Sequence, residues 1–206
     1  MEKAGTSRPL QYAGVIFDLD GTLVSSQLDF ATMRRELQCP ANQDLLVYIE
    51  ALPEQQQRQA MAVVHRHETE DAARSQALPG VARQLAYLDS LGLPTAIVTR
   101  NSRSATTRKL NAAGLQFELV LTREDAPPKP DPSALLAVAE QWSLPPQQCI
   151  YLGDFRYDLE AALAADMHAW LYAPHALPDY AILAHRVLRH FDELGQALFD
   201  TWARDD

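Results

Sequence analysis

An α/β fold, a parallel sheet covered by helices, follows from three features of the sequence. Short apolar runs rich in Val, Ile and Leu recur along the chain, each ending where polar residues begin. Longer segments of helical period separate them, the alternation expected of a sheet buried on both faces. At 206 residues, the chain has the length of one domain with a small insert.

The strands are expected at residues 13–17, 95–99, 119–121, 150–152 and 169–172. Crossover helices are expected at 81–90, at 104–113 with Gly114 capping the C-terminus, and at 132–142 behind an Asp131 cap. From 25 to 78 no strand-like run occurs, only helix-forming sequence rich in Gln, Glu, Arg and Ala, which reads as an all-helical insert. Within it Pro53 can open a helix at its first position, Gln55-Gln56-Gln57 reads as a solvated face, and Met61, Val63 and Val64 form an apolar patch. Leu78-Pro79-Gly80 punctuates the return to the sheet. The stretch from 178 to 206 reads as helices closing the sheet.

A net charge of −9 has the wrong sign for a chain held on nucleic acid or an anionic membrane by bulk electrostatics. Two cysteines, Cys39 and Cys149, make no disulfide framework and no C-x-x-C pair, as expected of a cytoplasmic protein. The polar start and apolar runs of about five residues provide neither a signal h-region nor a membrane span.

The chemistry concentrates at strand ends, where open α/β sheets bind ligands. Asp18-Leu19-Asp20-Gly21-Thr22 follows the run Val15-Ile16-Phe17. Its two carboxylates are two residues apart and so can face one way, and Gly21 permits a sharp turn after them. One can attack an electrophile while the other handles protons; the competing reading is a solvated turn. Gly153-Asp154-Phe155-Arg156-Tyr157-Asp158 follows a second run, 149–152. A helix starting near Asp154 would project Asp158 from the same face, or Asp158 merely caps that helix. Arg156 is expected only to pair with nearby acids. Four carboxylates at adjacent strand ends require a counter-charge, and oxygen-only ligands favour Mg²⁺. Lys129, held among Pro127, Pro128, Pro130 and Pro132, adds a pre-positioned positive charge. With one ion and Lys129 the site sums to about −1. Thr99, Arg100 and Asn101 close the second strand with a hydroxyl and backbone N–H groups suited to phosphate oxygens.

These four pieces, in this order from about Val15 to Tyr172, resemble the signature motifs of the haloacid dehalogenase superfamily, and within it the phosphoglycolate-phosphatase-like hydrolases with a helical cap. The resemblance implies a Rossmann-like core at 1–24 and 79–206 and a small cap at 25–78, inserted after the first strand. It implies a phosphatase in which Asp18 is the nucleophile forming an aspartyl-phosphate and Asp20 the general acid and base. Asp18, the backbone carbonyl of Asp20, Asp154 and Asp158 would hold Mg²⁺; Thr99, Arg100, Asn101 and Lys129 would hold the phosphoryl group. Asp20 argues against dehalogenation, which needs no acid at that position. The alternatives are a phosphomutase on the same scaffold and a non-catalytic binding protein.

Two positions depart from the family pattern. Arg100 stands where many relatives have Asn, with Asn101 one place later, and Asp166 stands where they have Gly. His65 and His67 lie two apart on helical sequence and do not face each other, so they make no metal site. Trp142, Trp170 and Trp202 are expected to pack. The expected partner is a small phosphorylated metabolite, with no nucleic acid and no membrane, acting on a monomer or weak dimer.

Overall fold

The computed structural model describes residues 10–200. Six parallel strands form one sheet in the order β3-β2-β1-β4-β5-β6: β1 Gly14–Phe17, β2 Thr95–Val98, β3 Leu119–Leu121, β4 Cys149–Gly153, β5 His168–Tyr172 and β6 Arg186–Leu188. β1 is central and pairs with both β2 and β4, Phe17 lying opposite Ile97 on one side and Leu152 on the other. The chain builds outward from β1 in one direction and then restarts at β4 in the other. This switch point opens a crevice at the carboxyl ends of β1 and β4.

Five strands lie within a residue or so of their expected bounds because each reads as a continuous apolar run, buried on both faces in β1, β2, β4 and β5 and half-buried in the edge strand β3. Val15 and Phe17 face one layer, with Ile97, Leu152, Trp170 and Leu88 of the helix α4 (Val81–Ser90). Ile16 faces the other layer, with Val98, Tyr151 and Leu171, and with Leu135 and Val138 of a helix at Ser133–Trp142. β6 corrects the expectation that 178–206 is helical. Its three residues are too few to show a period, and tertiary contacts place it: Arg186 pairs with Trp170 across the ladder and its guanidinium lies 5.4 Å from that ring. Three-ten turns at Asp179–Leu183 and Phe191–Glu193 and a short helix at Leu194–Ala197 complete the described part of this stretch.

The segment between β1 and α4 holds α1 Phe30–Glu36, α2 Leu45–Glu50 and α3 Glu54–Ala72. Asp29 and Asp44 cap α1 and α2 by accepting N–H bonds of the first turn. Pro53 occupies the N-cap of α3 rather than its first helical position. Met33, Leu45, Ile49, Ala60 and Val64 form a small core of their own; of the expected patch only Val64 is fully buried. Gln55 and Gln56 are exposed as expected, while Gln57 is half-buried, its amide donating to the Glu50 and Leu52 carbonyls.

α5 (Arg103–Ala113) is capped by Ser102 and ends on Gly114 in the left-handed conformation, φ 65°. α6 is the helix at Ser133–Trp142; its N-cap is Pro132, although the Asp131 carboxylate does accept the Ser133 N–H. α7 (Arg156–Ala164) starts two residues later than expected, with Phe155 at the N-cap. Asp166 takes the left-handed conformation, φ 57°, that glycine adopts freely. Trp170 is buried and Trp142 packs on Gly14; Trp202 lies outside the described residues. No described helix is long and apolar enough to cross a membrane.

Candidate active site

β1 delivers Asp18 to the crevice, its N–H bound to the Leu152 carbonyl at 2.9 Å. β4 delivers Asp154, and the first turn of α7 delivers Asp158. Carboxylate oxygens of these three residues lie within 4.8 Å of one another. Two glycines make that approach possible. A Cβ on Gly21 would sit 2.2 Å from Asp154 Oδ2, and one on Gly153 would sit 2.3 Å from Asp158 Cγ.

Lys129 is buried among them. Its ammonium donates to Asp18 Oδ1 and to Asp158 Oδ1, both at 2.6 Å, and to the Tyr151 hydroxyl at 2.7 Å. Asp158 also accepts the Phe155 N–H at 2.9 Å, so it caps α7 and faces the site at once. The two readings of its motif were not exclusive.

Three carboxylates against one ammonium leave an excess of negative charge in a buried place. Burial, moderated by Lys129 and reinforced by Asp158, lifts the Asp18 carboxyl from 3.8 to about 7. Burial and the neighbouring Asp18 and Asp158 lift Asp154 from 3.8 to about 8. Lys129 is raised: burial works against its charge, but Asp158 and Asp18 outweigh that, so it stays protonated. Hard oxygen donors with an unmet negative charge fit a divalent cation such as Mg²⁺.

The Asp20 carboxylate turns away from this trio. It accepts from Asn101 Nδ2 at 2.7 Å and from the Lys109 ammonium. Burial raises its pKa, with Lys109 and Asn101 opposing. The Thr99 hydroxyl accepts the Asn101 N–H at 3.2 Å and lies 3.3 Å from Asn101 Nδ2, which fixes the loop after β2.

The match to known sequences is decided at this point: the sequence model of the family described as haloacid dehalogenase-like hydrolase aligns with residues 15–171. The chain belongs to the haloacid dehalogenase-like hydrolases. A phosphoglycolate phosphatase of Thiobacillus denitrificans is 31% identical to this hydrolase over 186 residues, covering 77% of this chain and 82% of that protein. A haloacid dehalogenase-like hydrolase domain-containing protein of Arabidopsis thaliana is 29% identical over 165 residues, 75% of this chain and 67% of that one. The crystal structure of a hydrolase of the same family from Deinococcus radiodurans, with bound phosphate and sodium, superposes with a TM-score of 0.70 at 25% identity, over 92% of this chain and 96% of that one.

The Arg100 side chain of this hydrolase is committed to the insert, which leaves the backbone N–H groups of its loop as the groups expected to meet phosphate. Its guanidinium grips both oxygens of Asp44, at 2.7 and 2.8 Å, and lies 4.9 Å from the Tyr157 ring. Arg156 pairs with Glu160, an acid neighbour as expected. His67 pairs with Glu36.

Lys109 is the residue that sequence reading missed. It is fully buried, and bridges Asp20 to Asp71 of α3, the latter at 2.6 Å. Asp71 also takes the Gln27 N–H at 2.6 Å; against the opposing effect of burial, these bonds hold its pKa below the usual carboxylate value. One signal was present: Lys109 shares a face of α5 with Ala105, Thr106 and Leu110, the stripe a crossover helix buries. Lys109 also corrects the charge tally, adding a cation next to Asp20.

Two further links tie the insert to the sheet. Glu68 of α3 pairs with Arg123 and accepts from Ser102 Oγ at 2.7 Å. Asp44, Glu68 and Asp71 thus each hold one cation of the core.

Proposed function

We propose that this hydrolase is a Mg²⁺-dependent phosphatase acting on a small phosphomonoester, with residues 25–78 as its cap. The observation that carries the reading is the Asp18 carboxylate, held by Lys129 at 2.6 Å in a buried cluster with Asp154 and Asp158, while the neighbouring Asp20 is held separately by Asn101 and Lys109. Two carboxylates two residues apart in sequence have different surroundings, which suits them to different roles.

In this reading a carboxylate oxygen of Asp18 attacks phosphorus, and the bond from phosphorus to the ester oxygen breaks. Asp20 gives that oxygen a proton, so the alcohol leaves neutral and Asp18 carries the phosphoryl group as a mixed anhydride. Asp20, now ionised, takes a proton from water as the water attacks phosphorus, which frees Asp18 and releases phosphate. Asp18, Asp154 and Asp158, with the Asp20 carbonyl that the family resemblance implies, would hold Mg²⁺, which would supply charge that keeps Asp18 ionised and offsets charge on the phosphoryl oxygens. Lys129 stays protonated and neutralises the same oxygens from the protein side, and the Thr99 hydroxyl and loop N–H groups bind them.

The bound phosphate of the Deinococcus radiodurans structure and the kinship with phosphoglycolate phosphatases support phosphate ester chemistry. The test is phosphate release from a panel of phosphomonoesters, with and without EDTA. Wild type is expected to release phosphate only with Mg²⁺, and Asp18→Asn to release none. Ordinary turnover by Asp18→Asn refutes the nucleophile, and turnover in chelator refutes the metal.

A further inference from the structure

We infer that Asp44, Glu68 and Asp71 make this hydrolase selective for phosphomonoesters whose leaving group carries no second negative charge, such as sugar or polyol monophosphates, over carboxylated or doubly phosphorylated ones. The inference rests on the phosphatase reading above and deepens it.

A second anionic group needs a cation that is not already neutralised. The strand ends bring four toward the crevice: Lys129, Lys109, Arg100 and Arg123. Lys129 is shared by Asp18 and Asp158. Each of the other three is held by a carboxylate of the insert: Lys109 by Asp71 as well as Asp20, Arg100 by Asp44 through two bonds, Arg123 by Glu68. Arg34 of α1 has no carboxylate partner among the described residues; it lies within the insert, its Nη2 3.5 Å from the Gln43 carbonyl and its Nε buried without a hydrogen bond.

Two of these pairs, Lys109–Asp71 and Arg123–Glu68, are poorly hydrated. Lys109 is fully buried, and Glu68 and Asp71 are nearly so. A substrate carboxylate could take one of these cations only by leaving an acid of the insert buried and unpaired, which typically costs about 3–5 kcal/mol. The balance of charge points the same way. With Asp20 protonated, as the phosphatase reading requires of its general acid, Asp18, Asp44, Glu68, Asp71, Asp154 and Asp158 are balanced by the four cations and one divalent ion, which leaves no net positive charge for a second anion. A phosphoryl group reaches the ion and Lys129; a second anion finds the strand-end cations already committed to acids.

Two large side chains beside the trio are uncovered, Phe155 and Arg156, and the cation of the second is paired with Glu160. Phe155 directly follows Asp154, is 52% exposed, and is braced edge-on by Tyr157 and Tyr180 with ring centres at 5.3 and 5.8 Å. An aromatic face accepts the C–H side of a sugar or polyol and gives a carboxylate nothing.

The experiment compares two esters of equal length, 2-hydroxyethyl phosphate and phosphoglycolate, on the full chain with Mg²⁺. Like-charge juxtaposition costs several kcal/mol, so kcat/KM is expected to favour the hydroxyethyl ester by at least about tenfold. Asp44→Asn keeps a good cap for α2 but releases Arg100 from its ion pair. It should raise kcat/KM for phosphoglycolate by roughly fivefold or more, and change that for the hydroxyethyl ester by less than about twofold. Faster turnover of phosphoglycolate by the wild type overturns this inference and leaves the phosphatase reading standing. A wild-type preference for the uncharged ester that Asp44→Asn leaves unchanged overturns the role given to the ion pairs. Release of phosphate from neither ester, nor from any other phosphomonoester, overturns both readings.

Discussion

Raising the pH in the presence of chelator should destabilise this protein, and Mg²⁺ should abolish the effect. Asp18 and Asp154 are raised from 3.8 to about 7 and about 8. Between pH 4 and 7 the folded chain therefore keeps protons that the unfolded chain has released. The unfolded state then binds fewer protons than the folded one, so unfolding free energy falls as pH rises through this window and levels off above the folded-state values. A displacement of about 3 units at about 1.4 kcal/mol each places the loss from Asp18 at about 4 kcal/mol. The two acids share one site, so their effects do not simply add. For a chain of this size such a loss lowers the melting temperature by roughly 10 °C. Differential scanning fluorimetry at pH 5, 6, 7 and 8 in EDTA should show that decline. The same series in Mg²⁺ should be nearly flat, because the ion takes the place of the protons and binds more tightly as pH rises. A flat profile in EDTA, or a melting temperature at pH 8 indifferent to Mg²⁺, refutes the reasoning.

Gly21→Ala should weaken Mg²⁺ binding by tenfold or more, a factor worth about 1.4 kcal/mol, because its Cβ would displace Asp154 Oδ2 from 2.2 Å. Gly92→Ala is the control, with a similar φ of +69° and nothing within 4 Å. Isothermal titration with Mg²⁺ should find its affinity unchanged, and equal losses in both variants would count against the metal site. Lys109→Met should cost about 3–5 kcal/mol in urea denaturation, since it leaves Asp20 and Asp71 buried without their shared cation. Adding Asp71→Asn to it should recover part of that loss; no recovery would mean that the packing of Lys109, not its charge, matters.

The sheet was legible in the sequence because strands buried on both faces leave uninterrupted apolar runs. β6 was not, since a three-residue edge strand held by Trp170 and the neighbouring ladder has no local signature. The meeting of Asp18, Asp154 and Asp158 followed from placing two acidic motifs after two strands, a rule of topology more than of residue pattern. Partners drawn from distant segments were hidden. Lys109 is buried by α3, whose Asp71 lies 38 residues away in sequence, and the Asp44 that holds the Arg100 guanidinium lies 56 residues away. Burial, which sets the pKa of Asp18 and Asp20 alike, is likewise a property of the assembled layers and not of the motif.

The position of β1 at the centre of the sheet has a consequence for biosynthesis. Asp18 is made before the lysine that neutralises it, which follows 111 residues later. At roughly 5–20 residues per second, a nascent chain carries this carboxylate unshielded for several seconds to tens of seconds. Neither neighbour of β1 exists when that strand leaves the ribosome, so the strand edge stays open until β2 and then β4 emerge.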